Sequence, residues 1–419
     1  MSTQGNLEVR RRPATPERPA DPGFSDEALF LTDAPVPGQG QLAAQVRDAW
    51  VEVVQDPTRL QALEEEWESL AAAALEPNPF YEPWMLLPAL RRFGRADRVE
   101  VALVWAPHPS REKGRKLLCG LFPVGFRRGR AELWKHPYCY LSTPLLRAPV
   151  ARETLALFLD WLGSRTGLAR LEDVPGDGAF HLHLVDELNR RRWPSLVSSW
   201  YTRAVFRPAA TGEDFLERAL NGKRRKELRR QRARLCELGK LEICELRPGG
   251  DLDAWIADFI TLEASGWKGR AGVAAGVRET DRAYIEEMTR EAFRRGRLMM
   301  LGLRLDGRPV ALKCNLLAGE GSFAFKIAFD ESRARYSPGV LLELENIHRL
   351  HERPGIRWMD SCAAANRFMI NHLWPERREM QTVFFSTGRT LPSLALSLLP
   401  LLNFVRARLK RRASRPRAA

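Results

Sequence analysis

A weak internal repeat constrains the fold of this chain more than any other feature of its sequence. Residues 51–72 (VEVVQDPTRLQALEEEWESLAA) have the pattern of a strand, a turn and an amphipathic helix, and residues 241–265 (LEICELRPGGDLDAWIADFITLEAS) repeat it. An antiparallel hairpin follows in each half, and Asp306-Gly307 is a strong hairpin signal in the second. Elements that recur in the same order predict two copies of one structural unit.

The repeat continues through a second helix and a final strand. Residues 153–165 (ETLALFLDWLGSR) correspond to residues 340–353 (VLLELENIHRLHER), and the strand after each helix carries acidic residues: Glu172 and Asp173, and then Asp360. Each unit therefore runs strand, helix, antiparallel strands, helix, strand. We expect an α/β (α+β) fold in which each unit is a mixed, mostly antiparallel sheet flanked by helices.

The length of 419 residues is too great for one ordinary core and favours two domains. Residues 1–44 are rich in Pro and Arg and are predicted to be a disordered leader. The repeat assigns residues 45–205 to a supporting first domain and residues 206–390 to a second domain that carries the site. Residues 391–419 form a tail that is first apolar and then basic.

The formal net charge of +14 favours anionic partners, although Arg used as a general solvated charge explains it equally well. Residues 223–234 carry eight Lys and Arg residues on a predicted helix with a thin apolar stripe that includes Phe215, Leu220 and Leu228. This helix is expected to hold an anionic substrate, RNA or lipid headgroups, or to be a solvated basic face.

Cysteine spacing and hydropathy favour the cytoplasm. None of the six cysteines forms a C-x-x-C pair, so a disulfide framework or zinc site is not expected. The N-terminal region has no signal-like apolar core, and no apolar run reaches the roughly 18 residues of a spanning helix. The tail is expected either to pack on the protein or to contact the inner face of the membrane peripherally. His181 and His183 alternate on a predicted strand without a third ligand, so no metal is expected.

The segment Tyr336-Ser337-Pro338-Gly339 precedes a helix and is the first candidate binding site. Pro338 suits a first helical turn, Ser337 suits an N-cap, and Gly339 permits close approach of a ligand to the backbone. N–H groups at a helix start bind phosphates, although an ordinary capped helix has the same pattern. The candidate cofactor-binding residues are Arg333, Arg335, Tyr336, Ser337, Gly339 and Val340.

Lys326 interrupts the apolar strand GSFAFKIAFD (residues 321–330). Because a fully buried Lys needs a partner, we expect Lys326 to pair with Asp330 or Asp360, or to face solvent at a strand edge. Lys313 and Asn315 are two residues apart on the preceding strand and therefore share one polar face.

Glu263 and Lys268 bracket the end of a predicted helix at Gly266. Trp267 and the surrounding glycines indicate a loop that faces a substrate, or alternatively a helix end with Trp267 packed as a plug.

Five of these segments, in order, resemble one family. The chain is similar to the CelD/BcsL-type acetyltransferases, a branch of the GNAT superfamily named for cellulose biosynthesis and related to the Fem-type peptidoglycan aminoacyl transferases. The matching segments are KRRKELRRQRARL, LEASGWKGRAG, FAFKIAFDE, YSPGVLLE and MDSCAAANRFMINHLWPERR. The resemblance covers residues 206–385 well and the first half, through PYCYLSTPLL, more loosely.

The resemblance implies tandem GNAT-like domains and transfer of an acetyl or other acyl group from acyl-CoA to an amine or hydroxyl. The acceptor would be a sugar or another envelope or exopolysaccharide precursor. Ser-Pro-Gly replaces the Gly- and Arg-rich phosphate loop of the superfamily. Fem-type relatives use aminoacyl-tRNA, and the basic helix keeps that donor open. A non-catalytic scaffold at a membrane-associated polysaccharide synthase is the third alternative.

The resemblance also implies roles for residues. Asp360 or Glu263 would act as base or substrate orienter, and Lys326 would be an electrostatic partner to the developing oxyanion or to a substrate anion. A splayed strand pair that involves residues 313–316 would hold the acyl carbonyl. The candidate substrate-binding residues are Trp267, Lys268, Asn315 and Asp330.

Overall fold

The computed structural model describes residues 46–399, apart from residues 109, 111–114, 273, 366 and 367. The predicted leader, residues 1–44, lies outside the described residues, as do residues 400–419 of the predicted tail. The first part of that tail is helical over residues 390–399. None of the helices in the described part of the chain is long and apolar enough to cross a membrane.

Thirteen strands of the described chain form one sheet, in the order β1-β2-β3-β4-β6-β13-β7-β12-β11-β10-β9-β8, with β5 paired to β3. The strands are β1 Trp50–Val54, β2 Glu100–Pro107, β3 Lys116–Arg127, β4 Arg130–Leu133, β5 Leu145–Leu146, β6 Leu168–Pro175, β7 Ser195–Phe206, β8 Leu241–Glu245, β9 Leu298–Leu305, β10 Arg308–Ala318, β11 Gly321–Phe329, β12 Trp358–Asp360 and β13 Glu376–Ser386.

Helices cover both faces of the sheet. The α-helices are α1 Pro57–Gln61, α2 Glu64–Ala72, α3 Pro83–Ala89, α4 Arg95–Asp97, α5 Ala151–Arg165, α6 Ala179–Arg190, α7 Gly212–Ala219, α8 Gly222–Cys236, α9 Leu252–Ser265, α10 Trp267–Arg270, α11 Glu279–Arg294, α12 Pro338–His351 and α13 Phe368–Leu373. Short 3-10 helices occupy Val46–Asp48, Pro79–Tyr81, Ala148–Val150 and Glu331–Tyr336, and a π-helical turn occupies Leu90–Gly94.

The element order confirms the duplicated α/β unit. The first unit runs β1, α1 and α2, β2 to β4, α5, β6, and the second runs β8, α9 to α11, β9 to β11, α12, β12. The predicted hairpin between β9 and β10 is confirmed, with Asp306 and Gly307 in the left-handed region at φ of 49° and 77°. Two positive φ angles in a two-residue turn match the twist of the strands it joins.

The two units exchange strands, which the repeat did not predict. β7 leaves the first unit and pairs with β12 of the second, whereas β13 follows the second unit and pairs with β6 of the first. β7 and β13 also pair with each other along most of their length. Each unit is therefore completed by a strand from the other half of the chain.

Two local predictions were wrong. The basic segment forms two helices, α7 and α8, because the side chain of Asn221 accepts a hydrogen bond from the Arg224 N–H at 2.8 Å and caps a new helix. His181 and His183 lie on helix α6, because Leu184 and its neighbours follow the helical period and bury one face. Within the described residues, no group of three or more His, Cys, Asp or Glu side chains is placed to hold a metal ion.

Asp360 lies where the exchanged strands meet. Its Oδ2 accepts a hydrogen bond from Arg203 on β7 at 2.6 Å and lies 3.5 Å from Arg378 on β13. Arg203 also donates to the Tyr140 carbonyl of the first unit at 2.7 Å. The side chains of Arg203 and Asp360 are 1% and 0% exposed. Burial alone would lower the pKa of Arg203, but the carboxylate of Asp360 raises that pKa above its usual value.

We predict that Arg203→Met destabilises the fold by about 3 kcal/mol, because it leaves the Asp360 carboxylate buried without its closest partner. Equilibrium unfolding in urea measures the change. The matched control is Arg357→Met, which removes a pair with Glu320 whose side chains are 74% and 46% exposed, and which should change stability by less than about 1 kcal/mol. Equal effects of the two substitutions would contradict the structural role of Arg203.

Candidate functional site

A β-bulge on β11 changes which side chains face helix α9. Cys314 on β10 is paired with Lys326, and Leu316 is paired with Phe323. Between these pairs β10 contributes one residue and β11 contributes two, so β11 carries the extra residue. As a result, Phe325 and Lys326 line the same small apolar cavity under α9 and α11 rather than facing opposite sides.

β11 also separates from β12 immediately after the bulge begins. Gly321 is paired with Trp358 and Phe323 with Asp360 in parallel register, but residues 324–329 have no partner strand on that side among the described residues. The backbone of β11 therefore presents free N–H and C=O groups to an opening in the sheet. The splayed strand was predicted at residues 313–316, but β10 is paired on both sides, and the opening lies one strand further along.

The buried carboxylate of Glu263 on α9 is bound to Lys326, which lies on the part of β11 that has no partner on the β12 side. Its Oε1 accepts hydrogen bonds from Lys268 at 2.8 Å and from Lys326 at 2.9 Å. Its Oε2 accepts the backbone N–H of Ala275 at 2.8 Å. The prediction that Lys326 pairs with Asp330 or Asp360 was wrong, because the bulge turns Lys326 towards α9.

The cluster of two lysines and one carboxylate shifts the pKa values of Glu263 and Lys326. Burial would raise the pKa of Glu263, but Lys326 and Lys268 outweigh it and hold that pKa below the ordinary value of 4.5. Burial has the largest effect on the pKa of the Lys326 ammonium and lowers it, and the positive charge of Lys268 lowers it further. The attraction of Glu263 works in the opposite direction but does not outweigh them. Glu263 is thus held as a carboxylate, and Lys326 gives up its proton more readily than an exposed lysine.

The first unit supplies part of the wall around Lys326. The Tyr138 ring lies 5.2 Å from the Lys326 ammonium, a cation–π distance. Burial, together with the nearby Asp281 and Glu263 charges, raises the pKa of the Tyr138 hydroxyl. Tyr138 and Tyr140 both pack on Phe325, with ring centroids 6.3 and 6.0 Å apart. No local sequence pattern predicts these contacts, because they join segments that are far apart in the chain.

The loop before α12 has part of the predicted geometry. Pro338 is the first residue of α12, as predicted, and Ser337 is at the N-cap position in the left-handed region with φ of 52°. The Ser337 side chain, however, makes no capping hydrogen bond. The Val340 and Leu341 N–H groups are bonded to the Ser337 carbonyl, so the Gly339 N–H is the group left for a ligand in this turn.

Lys313 and Asn315 share a face, as predicted, and that face packs under α12. Lys313 forms a 2.8 Å ion pair with Glu343, and the two side chains are 3% and 0% exposed. Asn315 donates to Asn346 at 2.8 Å, and Asn346 donates to Glu343 at 2.8 Å. This buried polar chain anchors α12 to β10 on the face opposite Lys326, so the structure does not bring Asn315 to the Glu263 cluster.

The remaining candidates lie around the rim. Asp330 caps the 3-10 helix Glu331–Tyr336 by accepting the Ser332 N–H at 2.9 Å, and its carboxylate lies 3.8 Å from Arg333. Arg335 lies over the Tyr336 ring at 4.7 Å.

Trp267 begins the short helix α10 rather than a loop, and its side chain is 45% exposed. Its backbone N–H donates to the Glu331 carboxylate at 2.6 Å. Gly266 ends α9, as predicted.

Comparisons with known proteins agree with this geometry. Residues 222–368 match the family model of the acetyltransferase (GNAT) domain. The matched region runs from α8 to the start of α13 and contains both the bulged strand and the Glu263 cluster. With the duplicated element order, this establishes a fold of tandem GNAT-like units. The match is to the GNAT domain in general, and the CelD/BcsL type stays a prediction.

Solved structures show the same fold at low sequence identity. FemX has a TM-score of 0.52 and 10% identity, over 77% of this chain and 95% of FemX. A conserved protein of unknown function from Bacteroides thetaiotaomicron VPI-5482 has a TM-score of 0.50 and 13% identity, over 77% of this chain and 97% of that protein. A search of curated proteins found no match.

Because the pKa of Glu263 is lowered, its contribution to the stability of the fold should depend on pH. A carboxylate whose pKa is lower in the folded than in the unfolded protein stabilises the fold above the unfolded pKa, near 4.5, and loses this contribution as pH falls through the folded pKa. Glu263→Gln should therefore cost about 3 kcal/mol at pH 7, and the cost should shrink steadily below pH 4.5.

Urea unfolding of both proteins between pH 3 and pH 7 (roughly the window set by linkage) measures this difference. Glu237→Gln, at an exposed residue of the GNAT domain, is the control and should have little effect at any pH. A cost of Glu263→Gln that does not change with pH would contradict the ionised cluster.

Proposed function

We propose that this protein is an acyltransferase that moves an acetyl or other acyl group from acyl-CoA to an amine or hydroxyl. The observation that carries the proposal is the opening between β11 and β12 within the GNAT domain, with the ionised Glu263–Lys326 pair at its side. Transfer from an acyl thioester needs backbone N–H donors for the carbonyl and a fixed positive charge near the oxyanion. The unpaired edge of β11 would supply the donors, and the Lys326 ammonium would supply the charge.

The free edge of β11 is the proposed site of the donor. Within residues 324–329, the backbone N–H groups that point away from β10 would hold the extended part of acyl-CoA and its carbonyl. The Gly339 N–H at the start of α12 would contact a phosphate, where the helix dipole favours negative charge. Arg333, Arg335 and Tyr336 lie on the 3-10 helix that leads into this turn, and Ser337 and Val340 flank its glycine.

The chemistry requires attack of the acceptor on the thioester carbonyl, loss of the acceptor proton and departure of the thiolate. Both oxygens of Glu263 already accept hydrogen bonds, which supports a role for Glu263 as a positioning residue rather than as a base. Lys326 would stabilise the oxyanion as an ammonium, and the proton lost by the acceptor would pass to the departing thiolate, either directly or by replacing one that Lys326 donates. The buried bonds of Asp360 support a structural role for that residue.

We propose a sugar or another envelope or exopolysaccharide precursor as the acceptor, on the basis of the CelD/BcsL-type resemblance. Lys268 is 27% exposed while it holds Glu263, and the neighbouring Trp267 presents an exposed indole. An aromatic face beside a polar cluster suits a sugar ring. These residues are accordingly proposed to bind the acceptor.

A second candidate donor is aminoacyl-tRNA. Helix α8 packs against the 3-10 helix that precedes the Gly339 turn. Lys223, Arg224, Lys226 and Arg229 on α8 are exposed and form no ion pair within the described residues. A row of free cations beside the proposed phosphate site suits RNA as well as the phosphates of coenzyme A.

Peripheral contact with a membrane is a separate proposal for the tail. In the helix of residues 390–399, Leu391, Leu394 and Leu398 are 78%, 56% and 42% exposed. Their spacing places them along one side of the helix, and the sequence that follows is basic. This pattern also supports attachment of a non-catalytic scaffold to a membrane-associated synthase.

Calorimetric titration with acetyl-CoA tests the proposed donor site. Gly339→Glu should weaken binding by at least about tenfold, because it adds a negative charge where a phosphate would bind. The matched control is Gly339→Ala, whose Cβ would lie 3.4 Å from Phe329 and 3.8 Å from Ile327, and which should bind nearly as well as the wild type.

Equal binding by the two variants would exclude the Gly339 turn as the phosphate site. Failure of the wild type to bind acetyl-CoA, together with tRNA binding that weakens steeply with salt, would favour the aminoacyl-tRNA donor.

A further inference from the structure

A second cavity lies in the first unit, separated from the β11–β12 opening by strands β4, β6, β13 and β7. Its volume of about 790 Å3 is sufficient for a small metabolite. The cavity is bounded by the turn after β1, residues 90–99, the start of β2, the end of β3 and the end of α5. None of the roles proposed above uses it.

The cavity is lined by more cations than anions: Arg91, Arg95, Arg98 and Arg165, against Asp56 and Glu100. Arg91 is held by Glu287 and Gln61, both at 2.8 Å, and Arg165 is held by Glu100. Arg95 and Arg98 are exposed, and their guanidinium groups make no hydrogen bond or ion pair within the described residues. Two unpaired guanidinium groups beside one cavity are well suited to a phosphate, which accepts their paired N–H groups.

Glu100 lines the same cavity and is only 9% exposed. Its Oε1 accepts hydrogen bonds from Gln55 at 3.2 Å and from Arg165 at 2.9 Å, and Arg165 is itself held 5.2 Å from the Phe126 ring. Its Oε2 is buried and has no hydrogen-bond partner in the described part of the chain. A buried acceptor without a donor is costly, so this oxygen is suited to a ligand hydroxyl.

We propose that this cavity binds a small phosphorylated sugar or polyol. The phosphate would lie against Arg95 and Arg98, and a hydroxyl of the ligand would donate to Glu100 Oε2. Inorganic phosphate satisfies only the arginines and an unphosphorylated sugar satisfies only Glu100, so the two groups together select a ligand that carries both. The site is independent of the proposed acyl transfer.

Calorimetric titration of the full chain with glucose 6-phosphate, inorganic phosphate and glucose tests this site. Glucose 6-phosphate should bind at least about tenfold more tightly than either other probe, because it alone engages both groups. The double variant Arg95→Ala/Arg98→Gly should lose at least about tenfold in affinity for glucose 6-phosphate. Glycine suits position 98 because Arg98 has φ of 50°.

Two further variants complete the test. Arg308→Ala removes an exposed, unpaired arginine of the second unit and should bind glucose 6-phosphate like the wild type. Glu100→Gln should weaken glucose 6-phosphate binding and leave phosphate binding unchanged, with a thermal melt to confirm folding. Equal affinity for glucose 6-phosphate and inorganic phosphate, or wild-type affinity in the Arg95/Arg98 variant, would overturn the proposal.

Discussion

The buried ion pair between Arg203 and Asp360 joins the two units at the centre of the sheet. Arg203 comes from the strand that leaves the first unit, and Asp360 ends the last strand of the second. Arg378 from β13 approaches the same carboxylate, so both exchanged strands meet at one charge. Burial of these groups is tolerable only because each charge has an opposite partner. The opening beside β11 begins at this joint, because Phe323, the last β11 residue with a partner on β12, is paired with Asp360 itself.

The two units differ at equivalent places in their folds. In the first unit, β4 ends at Leu133, and the irregular segment that follows is tied down by Asn78, which donates to the Leu141 and Thr143 carbonyls. Ser142 adds a hydrogen bond to the Glu172 carbonyl. In the second unit, β11 instead continues as a bulged strand that stays paired with β10 past the end of its pairing with β12. Tyr138 of the first unit lies over Lys326 of the second, so the first unit forms part of the wall around that lysine.

Features set by local sequence could be predicted. The hairpin at Asp306-Gly307 and the start of α12 at Pro338 follow from the backbone preferences of a few adjacent residues. The strand exchange could not be predicted, because it depends on pairing between segments distant in the chain. The partner of Lys326 was missed for a related reason. An alternating pattern assumes that successive side chains of a strand point to opposite faces of the sheet. One extra residue in β11 breaks this alternation and turns the Lys326 side chain towards Glu263.

Hydrogen–deuterium exchange with and without acetyl-CoA measures whether the backbone N–H groups on the unpaired edge of β11 bind the donor. We expect slower exchange on binding in residues 324–329 and at Gly339, with little change in residues 130–147 of the first unit. Slower exchange confined to the first unit, or none in residues 324–329 at a saturating concentration of acetyl-CoA, would contradict it.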